Sequence, residues 1–189
     1  MKYVLGLLMA ASLTACSVPG PREPDRYFVL DAGMAAATAP RSGASVAVAP
    51  TSAAGFYDTQ DIAYSRAPGT RAYYQFNRWT ERPQHGIHAQ LASRFGGTGT
   101  KGTLRLDTHL EEIYHDATEE PGTARITVAA ELVDPDSRAV LARRTFTRSA
   151  PAASYDAPGA VRGFNQALAA LIGDIEGWVR DESQPKSRP

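Results

Sequence analysis

The side chain with the clearest chemistry in this 189-residue chain is its only cysteine, Cys16. It directly follows Leu13-Thr14-Ala15. An apolar run starts soon after the basic Lys2 and extends over residues 4–13. A positive start with so short an apolar run predicts a secretory signal, because a helix that spans hydrocarbon takes about 20 apolar residues. The tetrapeptide at residues 13–16 is typical of a bacterial lipobox, in which the chain is cleaved between Ala15 and Cys16 and the cysteine carries the lipid.

Lipidation also explains why an exported chain has a single cysteine. A lone cysteine cannot form an internal disulfide and would remain a free thiol in an oxidising compartment, whereas a thioether to diacylglycerol consumes it. Stable anchoring usually takes two signals such as dual acylation, at about 0.8 kcal/mol per buried CH2, and a di- or triacylated Cys16 meets that condition. The covalent lipid on Cys16 is the only prosthetic group we expect. An ordinary cleaved signal with a chance cysteine is the alternative.

The residue after the cysteine bears on the final location. By analogy with enterobacterial lipoproteins, an aspartate there would favour retention in the inner membrane, but this chain has Ser17. We therefore expect the periplasmic face of the outer membrane of a Gram-negative bacterium.

The remaining motifs that could carry chemistry are incomplete. The glycine-rich residues 96–103 contain Lys101, but Thr100 and Gly102 flank it, and a phosphate loop needs Gly before the lysine and Ser or Thr after it. A helix also precedes this segment where the phosphate loop needs a strand, so a connector is predicted. The Gly-x-Ser-x-Gly signature of serine hydrolases does not occur.

Histidines and paired carboxylates are the other candidates for a metal or acid–base site. They are His85, His88, His109 and His115, with Glu111-Glu112 and Glu119-Glu120. No zinc-binding His-Glu-x-x-His pattern joins them. We interpret the histidines as solvated surface residues and the glutamates as a solvated edge. The sequence predicts no metal site, no cofactor and no enzyme.

Length and charge fit one neutral domain. Removing residues 1–15 leaves 174 residues, enough to bury a core without disulfides. The formal charge is zero, and close to −1 once Lys2 is lost, so no nucleic-acid partner is indicated. The predicted organisation is a signal peptide at 1–15, a lipidated cysteine and tether at 16–26, a domain at 27–182 and a flexible tail at 183–189.

The first half of the domain predicts four short strands and a helix. Strands are predicted at 27–30, 45–50, 62–66 and 72–76, the last two forming a hairpin. A helix then opens at Thr80 as N-cap, with Pro83 in its first turn and an apolar stripe at Ile87, Leu91 and Phe95.

The second half predicts a meander and a long helix. Alternating residues at 104–110 and 126–132 and a returning strand at 140–146 indicate three antiparallel strands. Asp156 can cap the last helix, whose apolar residues fall on one face. They are Val161, Phe164, Leu168, Leu171, Ile175 and Trp178. The predicted fold is α/β of the α+β type, a single domain with a mixed, mostly antiparallel sheet packed by two main helices.

Aromatic residues are concentrated before the first helix. Seven lie in this stretch: Phe56, Tyr57, Tyr64, Tyr73, Tyr74, Phe76 and Trp79. Tyrosine and tryptophan are favoured at interfaces, but the same residues could pack the hairpin on the helix, and both interpretations stay open.

The order of these elements resembles the ABC-type transport auxiliary lipoprotein family, the PqiC-like group. The residues that carry the resemblance follow the lipobox in this order: Tyr27-Phe28-Val29-Leu30, Val46-Ala47-Val48-Ala49-Pro50, Gly55-Phe56-Tyr57-Asp58, Ile62-Ala63-Tyr64-Ser65-Arg66, and Tyr74-x4-Trp79 before the helix with Leu91 and Phe95. Thr80-Glu81-Arg82-Pro83 departs from the small or apolar residues expected after the tryptophan.

The resemblance implies a non-catalytic outer-membrane lipoprotein. Such proteins accompany an inner-membrane ABC permease and ATPase and a periplasmic mammalian-cell-entry (MCE) domain protein, in systems linked to moving lipids or other hydrophobic molecules. A homo-oligomer such as a ring is compatible with it. Our hypothesis is that Tyr74 and Trp79 belong to, or shape, the surface for the MCE partner, together with Phe56 and Tyr57.

A different class of function shares these features. An envelope lipoprotein that regulates a cell-wall synthesis enzyme would also have a lipobox and a compact domain, but usually a much longer tether. Residues 17–26 extend about 30 Å at most. This short reach favours a partner that itself comes to the outer membrane.

Overall fold

The computed structural model describes residues 23–33, 46–95 and 104–184. These residues form strands β1 Arg26–Phe28, β2 Val46–Val48, β3 Ser52–Ala53, β4 Asp61–Ser65, β5 Ala72–Trp79, β6 Leu104–Asp116, β7 Thr123–Val133 and β8 Val140–Pro151, helices α1 Pro83–Phe95 and α2 Ala157–Ser183, and a 3-10 turn at Gly55–Tyr57. The signal peptide, Ala15, Cys16 and the connector at 96–103 lie outside the described residues. The predicted α+β class, with one mixed sheet and two helices in a single domain, is confirmed.

Strand β6 is the central strand of the sheet. The strand order is β1-β5-β4-β6-β7-β8, and β6 pairs antiparallel with β7 along nearly its whole length. On its other side the short strands β2, β3 and β4 pair with it in parallel, one after another. The predicted β6–β7–β8 meander and β4–β5 hairpin are confirmed.

Both helices cover one face of this sheet, and the core lies between the layers. The six apolar residues predicted on one face of the last helix are all buried. Phe164 of α2 makes an edge contact with Trp79 of β5, with ring centroids 5.5 Å apart. Asp156 caps α2 as predicted, since its Oδ1 accepts a hydrogen bond from the Gly159 amide at 2.8 Å.

Helix α1 begins two residues later than predicted. It starts at Pro83, whose missing N–H costs nothing in the first turn. Thr80 is therefore not its N-cap; its amide donates to the Phe28 carbonyl at 2.8 Å and continues the sheet. The apolar stripe predicted for this helix is buried.

Two predicted boundaries shift slightly. Strand β1 begins at Arg26, the last residue assigned to the tether, and Asp25 already contacts Arg78 at 3.7 Å. Helix α2 continues to Ser183, the first residue assigned to the tail.

Candidate partner-binding surface

The four residues predicted to bind a partner lie in different environments. Phe56 keeps 39% of its surface exposed, whereas Tyr57 keeps 7% and Trp79 only 1%. Tyr74 is half-buried. Trp79 and Tyr57 therefore cannot offer their rings to a partner directly. Trp79 can still shape the surface by fixing β5 against α2.

An exposed pair of stacked rings marks the outer face of the sheet, opposite the helices. Phe56 comes from the 3-10 turn before β4, and Tyr73 from the start of β5. Their rings are nearly parallel, at 14° and 4.5 Å between centroids. The Tyr73 hydroxyl donates to the Phe56 carbonyl at 2.6 Å, which ties the turn to the strand. Tyr73 is 37% exposed, so both rings remain accessible.

A layer of buried polar and aromatic groups supports this pair. Tyr57 packs edge-on against Phe56 at 5.3 Å, and its hydroxyl accepts from Nε of Arg71 at 3.1 Å. The Arg71 guanidinium lies 3.6 Å above the Tyr114 ring and reaches Glu112 at 3.2 Å. Burial raises the pKa of Tyr57. We call Phe56 and Tyr73, with the three supporting residues Tyr57, Arg71 and Tyr114, the aromatic patch.

Sequence reasoning missed most of this patch. Tyr73 was counted among the aromatics but not selected, and Arg71 and Tyr114 were not considered. Their contacts join the turn at 55–57 with β5 and β6. Such long-range pairing leaves no signal in local spacing.

Tyr74 points to the opposite, helix-covered side of the sheet. Its hydroxyl lies 2.7 Å from Nδ1 of His115, whose Nε2 lies 2.9 Å from the Pro121 carbonyl. Because a carbonyl only accepts, Nε2 carries the proton, and Nδ1 of the neutral ring accepts from Tyr74. His115 is fully buried, so its interpretation as a solvated histidine was wrong. Burial lowers the pKa of His115 and raises the pKa of Tyr74 to about 12.

The other histidines sit nearer the surface. His109 lies 2.8 Å from the Ser52 hydroxyl, and His88 lies 3.1 Å from the Ala49 carbonyl. His85 is largely exposed. Within residues 23–33, 46–95 and 104–184, no group of three or more potential ligands could hold a metal ion.

The paired carboxylates have separate surroundings. Glu119 and Glu120 are exposed, in agreement with a solvated edge. Glu112, by contrast, is part of the support of the aromatic patch through Arg71. None of the helices in the described part of the chain is long and apolar enough to cross a membrane.

Comparison with known proteins decides the family. The model of the family described as "ABC-type transport auxiliary lipoprotein component" matches residues 28–176. The chain belongs to this family. The matched range includes the whole aromatic patch. No curated protein matches the chain significantly.

Solved structures share the fold. A DUF330 protein from Xanthomonas campestris aligns with a TM-score of 0.71 at 20% identity, covering 84% of this chain and 97% of that one. An uncharacterized protein aligns with a TM-score of 0.65 at 13% identity, covering 83% and 99%. A PelC dodecamer from Paraburkholderia phytofirmans reaches a TM-score of 0.42 at 18% identity, covering 72% and 89%, which is too weak to transfer its assembly.

Proposed function

We propose that this auxiliary transport lipoprotein is a non-catalytic docking component at the periplasmic face of the outer membrane. Its lipid would be attached to Cys16 after cleavage at Ala15. Its partner would be the MCE-domain protein of an ABC-type system that moves lipids or other hydrophobic molecules across the envelope. The family assignment supports the transport role, and the lipobox supports the anchor.

The observation that carries the docking role is the rigid, exposed pair Phe56 and Tyr73. Aromatic residues dominate the binding energy of protein interfaces, especially where a surrounding layer excludes water. Here the hydroxyl-to-carbonyl bond and the Arg71 layer hold both rings before any partner arrives. Binding then loses little side-chain entropy, which is the advantage of a preorganised site.

The proposed mechanism separates position from recognition. Cys16 fixes the chain at the membrane, and the ten residues at 17–26 limit its reach to about 30 Å. The domain then presents the aromatic patch to the periplasm from this tethered position. A partner that reaches the outer membrane can contact the patch. The permease and ATPase of the same system remain at the inner membrane.

Affinity purification from mildly crosslinked, solubilised membranes tests this proposal. We would compare C-terminally tagged wild type with Cys16→Ala and with Phe56→Ala/Tyr73→Ala. Leu141→Ala is the matched control, since this apolar residue is 56% exposed and lies on β8 at the other edge of the sheet. We expect the wild type and the control to recover an MCE-domain protein with its permease and ATPase, and both other variants to lose it.

Other outcomes would contradict the proposal in different ways. Recovery of a cell-wall synthesis enzyme would support the regulatory alternative. Full recovery of the MCE protein with Phe56→Ala/Tyr73→Ala would keep the transport role but overturn the aromatic patch. Self-association, and any loss of it in the variants, can be read from the same samples by native electrophoresis.

A further inference from the structure

The two most exposed large apolar side chains of the described residues lie beside the membrane end of the chain. Tyr27 is 59% exposed and Val29 is 58% exposed. We propose that these two residues rest in the headgroup region of the membrane that holds the lipidated Cys16. The inference rests on the proposed lipid anchor and adds to it an orientation of the domain.

Their exposure follows from the position of β1. This strand is the outermost on its side of the sheet and pairs only with β5 among the described strands. Phe28, at the end of β1, and Leu30, two residues beyond it, turn toward the core. Tyr27 and Val29 alternate with them and therefore face away from the helices, where no described element covers them.

The length of chain before β1 determines what can reach this face. Glu23 is the seventh residue after Cys16, so it stays within about 25 Å of the anchor even if the chain is fully extended. A domain of this size has a radius of gyration of about 15 Å and is roughly 40 Å across. The bilayer can therefore stay in contact with the side that carries β1 while the tether is relaxed. The β8 edge lies five strand spacings away, about 24 Å, and can touch the bilayer only when the tether is almost fully extended.

The chemistry of the two side chains fits the headgroup region. A tyrosine ring is apolar at its body and polar at its hydroxyl, and this combination is favoured at membrane–water interfaces. Val29 adds a second apolar group on the same face. The lipid on Cys16 already holds the domain at the bilayer, so these side chains need to supply orientation and little further affinity.

Site-specific quenching by lipid tests the inference. Lipidation blocks the only native thiol, so a single introduced cysteine can be labelled alone. We would place an environment-sensitive fluorophore at Tyr27→Cys or Val29→Cys in the full lipidated chain, reconstituted in phosphatidylethanolamine–phosphatidylglycerol vesicles containing brominated lipid. Leu141→Cys is the matched control, because Leu141 is equally exposed but lies on the opposite edge strand.

We expect a blue-shifted emission and quenching by brominated lipid at positions 27 and 29, and neither at position 141. Equal quenching at all three positions would overturn the orientation. Protection from aqueous iodide without quenching by lipid at position 27 would mean that a second copy covers this face, and would also overturn it. Mass spectrometry of the same protein distinguishes failure of the lipid anchor from failure of the proposed orientation. An unmodified Cys16 would overturn the anchor and therefore also the orientation that rests on it.

Discussion

The contact between half-buried Tyr74 and fully buried His115 gives the sharpest test of which aromatics belong to the core. Tyr74→Phe removes only the hydroxyl that lies 2.7 Å from Nδ1 of His115. The ring of His115 is fully buried, so no water replaces the lost donor. A buried polar atom left without a partner costs about 1–3 kcal/mol. We expect the free energy of unfolding to fall by that amount near neutral pH.

The same histidine should make stability depend on pH. Burial holds the pKa of His115 in the folded protein below its usual 6.5, with Asp116, Asp156 and Arg66 as the charged groups that modulate it. Below about pH 6.5 the unfolded chain therefore binds more protons than the folded one. The free energy of unfolding is then highest above about pH 6.5 and falls as the pH drops, by at most about 1.4 kcal/mol per pH unit for one proton.

Urea unfolding at several pH values between about 5.5 and about 8 measures both effects, since carboxylates remain ionised in this window. Fluorescence of Trp79 and Trp178, both buried, reports the transition. His115→Gln should lose the pH slope, whereas the control His85→Gln, in an exposed histidine, should keep it. A slope that persists in His115→Gln, or a Tyr74→Phe protein as stable as the wild type, would refute this reasoning.

Two further substitutions test the packing of the core. Trp79→Ala should lower the free energy of unfolding by about 3–5 kcal/mol in urea titrations, because the ring is 1% exposed and packs on Phe164. A loss below about 1 kcal/mol would contradict its core role. Gly163→Ala should reduce the thermal stability by about 1–3 kcal/mol, since its Cβ would lie 2.8 Å from Cβ of Ala124. In the same helix, the methyl group added by Gly173→Ala would have no atom within 4 Å, so this change should stabilise the protein by about 0.4–1 kcal/mol. Equal effects of the two changes would argue against close packing at Gly163.

The sequence predicts correctly those elements whose ends and faces are determined by neighbouring residues. Helix α2 has a capping aspartate, a proline in its first turn and one continuous apolar stripe, and all of them are visible in the sequence. The parallel pairing of β2, β3 and β4 along β6 could not be predicted in this way. These strands have only two to five residues each, and their partners on β6 lie 51 to 58 residues away along the chain.

His115 was assigned to the wrong face of β6 because one extra residue interrupts the alternation of the strand. His109 and His115 are an even number of residues apart, so strict alternation puts both on the polar face of β6. The register, however, shifts between Leu110 and Glu112, which inserts one extra residue into β6. Beyond this bulge the faces exchange, and His115 turns into the core. A bulge leaves no composition signal in a strand of this kind.

The aromatic stretch was ambiguous for a related reason. The pairing of β4 with β5 changes register between Asp61 and Ala63, so the facing of residues 74–77 cannot be counted from either end. Tyr73 consequently points outward and Tyr74 inward, although the sequence pattern selects Tyr74, and not Tyr73, as a partner-binding residue. The structure therefore favours Tyr73 over Tyr74 as a residue that contacts a partner.

Tyr27 and the aromatic patch share one face of the sheet, and this connects the two proposals. Tyr27 is the register neighbour of Arg78, and Arg78 forms an ion pair with Asp61. Burial raises the pKa of Tyr73, and the nearby charge of Asp61 adds to this effect. If Tyr27 rests on the bilayer, a partner that docks on Tyr73 must approach close to the membrane surface. A soluble periplasmic enzyme has no need to do so, whereas a protein that carries hydrophobic cargo to the outer membrane has to reach that surface.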